Sequence, residues 1–163
     1  MGRLENPHSH DPFADDLNVE ALFKDQLVVA ASKQSQWARR RKIELSELID
    51  IPWILPAKNT FNYARVVEAF QSRGLAMPKF ILLAQSIPLR FYFLAHGDYV
   101  ATFASSVLRF SADAVGLKEL PVELTARRSF VGIITLKART LSPVADRFIE
   151  HVRRFTKPLR AES

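Results

Sequence analysis

Residues 53–106 read WILPAKNTFNYARVVEAFQSRGLAMPKFILLAQSIPLRFYFLAHGDYVATFASS, and this stretch decides the fold class. Three short apolar runs, Trp53-Ile54-Leu55, Phe80-Ile81-Leu82-Leu83-Ala84 and Tyr99-Val100-Ala101-Thr102-Phe103, alternate with segments of helical period. After the first run, Asn59 or Thr60 can cap a helix in which Tyr63, Val66, Val67 and Phe70 recur at helical spacing. Gly74 then stands where a left-handed residue ends such a helix. After the second run, Ser86 caps a helix with Pro88 in its first turn, where a missing N–H costs nothing, and Gly97 stops it. Ser105-Ser106 can cap a third, short helix ending near Asp113. Such alternation predicts an α/β fold, a sheet with helices on its faces.

Two apolar runs bracket this block, Leu27-Val28-Val29-Ala30-Ala31 and Phe130-Val131-Gly132-Ile133-Ile134-Thr135-Leu136. Both read as strands buried on both faces, and pairing between them would form the crossover to whatever the chain ends build. Leu22-Phe23 reads as part of the first of them, interrupted by polar Lys24-Asp25-Gln26. Residues 1–18, with Pro7 and Pro12, read as a loop or loosely attached arm, and the segment through Arg41 as a polar, basic loop. Residues 44–49 make a helical turn, and 117–124 an extended segment that Pro121 assigns to an edge. Ser142-Pro143 opens a last helix whose Val144, Ala145, Phe148, Ile149, Val152 and Phe155 form one apolar stripe.

The 163 residues include 12 Phe and no Cys, with a net charge of +6, so a sizeable core is available and thiolate chemistry is excluded. No signal sequence and no membrane-length apolar run is present, which makes the cytoplasm the expected location. The basic blocks Arg39-Arg40-Arg41-Lys42 and Arg153, Arg154, Lys157, Arg160 read as solvated faces. A small basic DNA-binding protein would need a helix whose start clusters base-reading side chains, and neither strong helix has one. Five isolated glycines make no phosphate loop, no nucleophile elbow occurs, and no catalytic or cofactor-binding set stands out. His8-Ser9-His10-Asp11 holds ligand-type residues but reads as a solvated loop rather than a metal site. His96 reads as a partner for the last carbonyls of its helix, and His151 as exposed.

What remains is binding chemistry. Ala57-Lys58-Asn59-Thr60, Gln85-Ser86-Ile87 and Ala104-Ser105-Ser106 each follow a strand and begin a helix. In an open α/β sheet ligands sit outside the carboxyl ends of strands, where helix N-termini suit carboxylate, phosphate or hydroxyl groups.

The order and spacing of segments resembles the effector-binding domain of LysR-type transcriptional regulators. The matching residues are Ala21-Leu22-Phe23-Lys24-Asp25-Gln26-Leu27-Val28-Val29-Ala30, Leu45-Ser46-Glu47-Leu48-Ile49-Asp50-Ile51-Pro52-Trp53, and Phe70-Gln71-Ser72-Arg73-Gly74. Leu94-Ala95-His96-Gly97-Asp98-Tyr99-Val100-Ala101, Val131-Gly132-Ile133-Ile134-Thr135-Leu136 and Leu141-Ser142-Pro143-Val144-Ala145-Asp146-Arg147-Phe148-Ile149 complete them. The resemblance runs from Gly2 to about Arg154. It departs at Tyr99, where the family usually has Gly, and at Ala104, where it often has Pro.

The resemblance implies a type 2 periplasmic-binding-protein-like fold with lobe two complete and lobe one partial. Residues 1–20 would be a remnant of lobe one, 21–31 the crossover strand, 32–129 lobe two, and 130–160 the return strand and C-terminal helix of lobe one. It implies a small-molecule effector, anionic or sugar-like, contacted by Gln85, Ser86, Ile87, Thr102, Phe103 and Ala104, to which the strand-end reading adds Ser105, Asn59 and Thr60. It implies a homo-oligomer formed through the sensing domain, no enzymatic activity, and DNA contact only through a winged helix-turn-helix that these residues lack. Effector binding would close the lobes and shift a population of subunit packings. Met1 falls inside a family strand, so a misplaced start codon is the expected origin of the short form. With half of lobe one missing, weak or no effector binding and a partly exposed final helix are expected. A solute-binding protein of a transporter shares the fold and is the alternative.

Overall fold

Gln26 is where the chain changes sheets. The structure, a computed structural model, describes residues 3–4, 14–113, 115–124 and 128–160. It divides into two units, Met1–Asp25 with Arg128–Ser163, and Gln26–Arg127.

The first unit holds a three-stranded antiparallel sheet in the order β1 (Arg3–Leu4), β8 (Ser129–Leu136), β2 (Leu17–Asp25). A bulge between Ala21 and Phe23 leaves Leu22 outside the β2–β8 pairing, and the Leu22 carbonyl accepts the Arg160 Nε–H at 2.8 Å instead. Helix α4 (Pro143–Arg160) packs on β2 through its Ala145, Ile149, Val152, Thr156 and Leu159 side, while Val144, Phe148 and Phe155 face outward. The predicted stripe is therefore split in two, because residues four apart recur along two adjacent rows of a helix. Glu20 of β2 binds Arg153 through both carboxylate oxygens, at 2.7–3.0 Å.

The second unit is a five-stranded sheet in the order β5-β4-β6-β3-β7, formed by β3 (Leu27–Ser32), β4 (Trp53–Leu55), β5 (Ile81–Leu83), β6 (Val100–Ala104) and β7 (Leu117–Glu119). Helices α1 (Phe61–Gln71), α2 (Ile87–His96) and α3 (Ser105–Ser111) supply the crossovers and cover. On one face Leu27, Val29, Trp53, Leu55 and Val100 pack under Val66 and Phe70 of α1. On the other Val28, Ala30, Ile54, Ala101 and Phe103 pack under Leu94 of α2 and Leu108 of α3. Each central strand thus has an apolar side chain on both faces, which is why these runs do not alternate.

Thr60 and Ser86 cap α1 and α2 through their hydroxyls, Gly74 takes a φ of 67°, and Pro121 follows edge strand β7, all as the sequence predicts. Four expectations are corrected. Leu22-Phe23 and Leu27–Ala31 belong to different strands in different sheets. The apolar runs 27–31 and 130–136 do not pair: β3 is flanked by β6 and β7, and β8 by β1 and β2. Nor is β8 buried on both faces, since Phe130, Ile134 and Leu136 are exposed. The N-terminal arm includes paired backbone at Arg3–Leu4 and ordered strand from Leu17, while residues 5–13, with His8-Ser9-His10-Asp11, lie outside the described residues. The basic loop carries a 3-10 turn at Gln36–Arg39 and is exposed at Arg39–Lys42, where Arg40 pairs with Glu47 and Lys42 with Glu44.

Candidate functional site

Strands β4, β5 and β6 run parallel, so their carboxyl ends share one edge of the second unit's sheet. Trp53 is level with both Ile81 and Val100, which puts Ala57, Gln85 and Ala104 four residues beyond a common level. The chain enters β3 at this same edge, where Leu27 pairs with Ala104 and the Ser105 N–H donates to the Gln26 carbonyl at 2.9 Å. The edge is therefore built from strand backbone and from the first turns of α1 and α2.

Most of the residues expected there are brought together. Asn59 is exposed, and the Thr60 hydroxyl donates to the Ala57 carbonyl at 2.7 Å while accepting from the Tyr63 N–H. Gln85, Ser86 and Ile87 are exposed, with the Ser86 Oγ accepting from the Leu89 N–H. Thr102 is 1% exposed, and its hydroxyl has no hydrogen-bond partner among the described residues. By strand alternation that hydroxyl shares the α1 face with Leu55 and Val100.

Two members differ from expectation. Phe103 points to the opposite face, under α2, with its ring 5.2 Å from that of Phe91. Ser105 is no cap: Ala104 occupies the N-cap position of α3 with φ −66°, and the Ser105 N–H is already engaged by Gln26. Period-two alternation turns neighbours to opposite faces, so Thr102 and Phe103 cannot both face one pocket.

Arg90 is the residue that sequence reasoning missed. The parallel ladder explains its place. The Val100 N–H donates to the Pro52 carbonyl at 3.0 Å, and donors alternate every second residue along each strand. Continuing the pattern brings residue 56 opposite the Thr102 carbonyl, and residue 56 is Pro56, which has no N–H. Arg90 fills the gap: its Nη1 donates to the Thr102 carbonyl at 2.8 Å, and its guanidinium carbon lies 5.0 Å from the Phe103 ring centroid. Arg90 is 8% exposed, its Nε has no partner among the described residues, and burial pulls its guanidinium below the ordinary arginine range. The available signal was a proline closing a buried strand, with an arginine one turn into a facing helix.

Elsewhere, His96 Nδ1 lies 2.8 Å from the Tyr92 carbonyl, the expected helix-end contact, and His151 is exposed. Among the described residues no group of three His, Asp or Glu is placed to hold a metal ion, and no helix is long and apolar enough to cross a membrane.

The family model described as LysR substrate binding domain matches residues 8–157. No curated protein sequence matches significantly. Among solved structures, the CcmR regulatory domain of Synechocystis PCC6803, in complex with 2-PG, is 19% identical with a TM-score of 0.70, over 89% of this chain and 69% of that one. The effector binding domain of QuiR in complex with shikimate is 17% identical with a TM-score of 0.64, over 90% of this chain and 68% of that one. The apo regulatory domain of HypT from Salmonella typhimurium is 14% identical with a TM-score of 0.65, over 88% of this chain and 67% of that one. At such identities the likeness is one of fold, and the family match supplies the rest. With β4, β5 and β6 ending at one edge and the family model running over nearly the whole length, the chain belongs to the LysR substrate-binding domain family, with its type 2 periplasmic-binding-protein-like fold.

Proposed function

We propose that this LysR-type sensing domain takes up its small-molecule effector at the strand-end edge of the second unit. One observation carries the reading: at the level where three parallel strands end, the Thr102 hydroxyl is buried without a partner among the described residues. A buried hydroxyl left unpaired costs about 1–3 kcal/mol, which a ligand atom at hydrogen-bond distance recovers. Asn59, Thr60, Gln85, Ser86, Ile87, Ala104 and Ser105 lie at the ends of these strands, with Phe103 on the far face. CcmR and QuiR, solved with 2-PG and shikimate, support an effector of metabolite size.

The reading is one of binding rather than catalysis, since the edge presents hydroxyls and backbone but no nucleophile–base pair. It takes the second unit as lobe two, the first as belonging to lobe one, and the cytoplasm as the location. Association through the sensing domain is supported by exposed apolar side chains, Val144, Phe148 and Phe155 on α4 and Phe80, Leu82 and Leu83 at edge strand β5. Control of DNA belongs, in this reading, to a separate winged helix-turn-helix domain. The effector acts by binding one subunit packing more tightly than another.

Thermal-shift screening of the 163-residue chain against a metabolite collection tests the site. A compound that raises the melting temperature of the parent chain, but not of Thr102→Val or Ser86→Ala, supports it. Compounds that stabilise all three alike would place the site elsewhere.

A further inference from the structure

A sugar-binding edge needs carboxylates or amides to bracket hydroxyl groups and an aromatic face to stack on. This edge supplies the amides of Asn59 and Gln85 but no carboxylate. Residues 56–60, 84–87 and 104–106 contain no Asp or Glu, and Phe103 is turned to the far face. Neither α1 nor α2 carries an acidic residue in its first turn, where one would ordinarily offset the helix dipole. Lys58 is exposed in the same loop as Asn59 and Thr60.

Beneath these groups stands Arg90. Its Nη1 is held by the Thr102 carbonyl and its plane by Phe103, and no carboxylate pairs with it among the described residues. Buried cations are ordinarily paired, because removing a charge from water costs several kcal/mol. Here the charge is fixed under the strand end that also carries the unpartnered Thr102 hydroxyl. A fixed cation in partly dehydrated surroundings attracts an anion a few ångströms away without touching it.

We propose that the effector is an anion bearing a carboxylate or phosphate, and that Arg90 selects its charge while positioning Thr102. This rests on the strand-end edge being the site. Arg90 acts through the field and through the strand. A neutral ligand at the same place gains nothing from it.

The test is NMR titration of the full chain with inorganic phosphate, replacing chloride at constant ionic strength, and then with shikimate and its uncharged methyl ester. Saturable shifts are expected at the Ile87, Leu89 and Thr102 amides with phosphate and shikimate. Arg90→Met should weaken both by about tenfold, or 1.4 kcal/mol, and Arg90→Lys should keep most of the affinity. A purely structural role would weaken shikimate and its ester equally. The proposal is overturned if phosphate moves none of these amides, or if Arg90→Met leaves anion binding intact. Should the ester bind the edge as well as shikimate does, charge selection fails and the site stands. Saturable shifts confined to other parts of the second unit would remove the site as well. If Arg90→Met does not fold, Pro56→Ala/Arg90→Met returns an N–H to the Thr102 carbonyl and permits the same titration.

Discussion

Strands β3 and β8 look alike in sequence and differ in the molecule. Leu27–Ala31 is an unbroken apolar run, and Phe130–Leu136 is one interrupted by nothing more polar than Gly132 and Thr135. In the second unit β3 is buried at every apolar position, sealed by α1 on one face and by α2 and α3 on the other. In the first unit β8 keeps Phe130, Ile134 and Leu136 exposed. An apolar run therefore records what a strand can bury, whereas actual burial depends on how many helices the rest of the chain supplies. The second unit supplies three helices to five strands, and the first supplies α4, which packs on β2.

The sharpest way to break this contrast is to place the same charge in both strands. Val29→Asp puts a carboxylate at a position of 0% exposure and is expected to cost more than about 4 kcal/mol, enough to unfold the second unit. Ile134→Asp, at 39% exposure, is expected to cost less than about 1 kcal/mol. Urea denaturation followed by circular dichroism measures both. Equal losses would mean that β8 is covered in solution and that the contrast between the strands does not hold.

The same contrast explains what was legible in the sequence. Helix caps at Thr60 and Ser86, the left-handed Gly74 and the three parallel strands are local signals, and each is written in a few consecutive residues. Partners of apolar strands are not local. Nothing in Leu27–Ala31 says that its neighbours are β6 and β7 rather than residues 130–136. Of the site, the edge and its hydroxyls could be read from three loops. Arg90 could not, because its role follows from a ladder bond that Pro56 fails to make to the neighbouring strand β6, and that requires the register.

Arginine side chains sharpen the comparison next. Arg90 in the second unit is buried and fills a ladder gap, so Arg90→Met should cost about 1–3 kcal/mol. In a Pro56→Ala background, where residue 56 again offers an N–H, that cost should fall by about 1 kcal/mol. A double-mutant cycle by thermal denaturation gives the coupling, and additive costs would show that the two residues do not share the Thr102 carbonyl. A smaller gain is expected at the strand's end. Ala104 has φ −66°, the value proline imposes, and lies opposite Leu27 where its N–H points away from β3. Ala104→Pro, which restores the residue common in the family, should stabilise by about 0.5–1 kcal/mol, read as a rise in melting temperature. A fall would mean that the edge needs the flexibility of Ala104.

The smallest effect lies in the first unit and depends on pH. The hydrogen bonds from Arg153, joined by its charge and that of Arg160, hold the Glu20 carboxyl below its ordinary value of 4.5, against a modest opposing effect of burial. A carboxyl whose folded pKa is depressed contributes stability above its unfolded pKa, and that contribution is lost as pH falls through the folded value. Stability from this contact is therefore complete at neutral pH and declines below about 4.5, the unfolded reference. Glu20 is 36% exposed at its side chain, so solvent screening leaves no more than about 0.5 kcal/mol. Glu20→Gln should flatten the acid limb of the stability curve by that amount and leave the neutral region lower by the same amount. In the second unit Arg90 faces no carboxylate among the described residues, so Arg90→Met should shift the whole curve without changing its acid slope. A change of slope in Arg90→Met would reveal an acidic partner for that guanidinium in solution and would remove the reason for expecting an anion to fill the place.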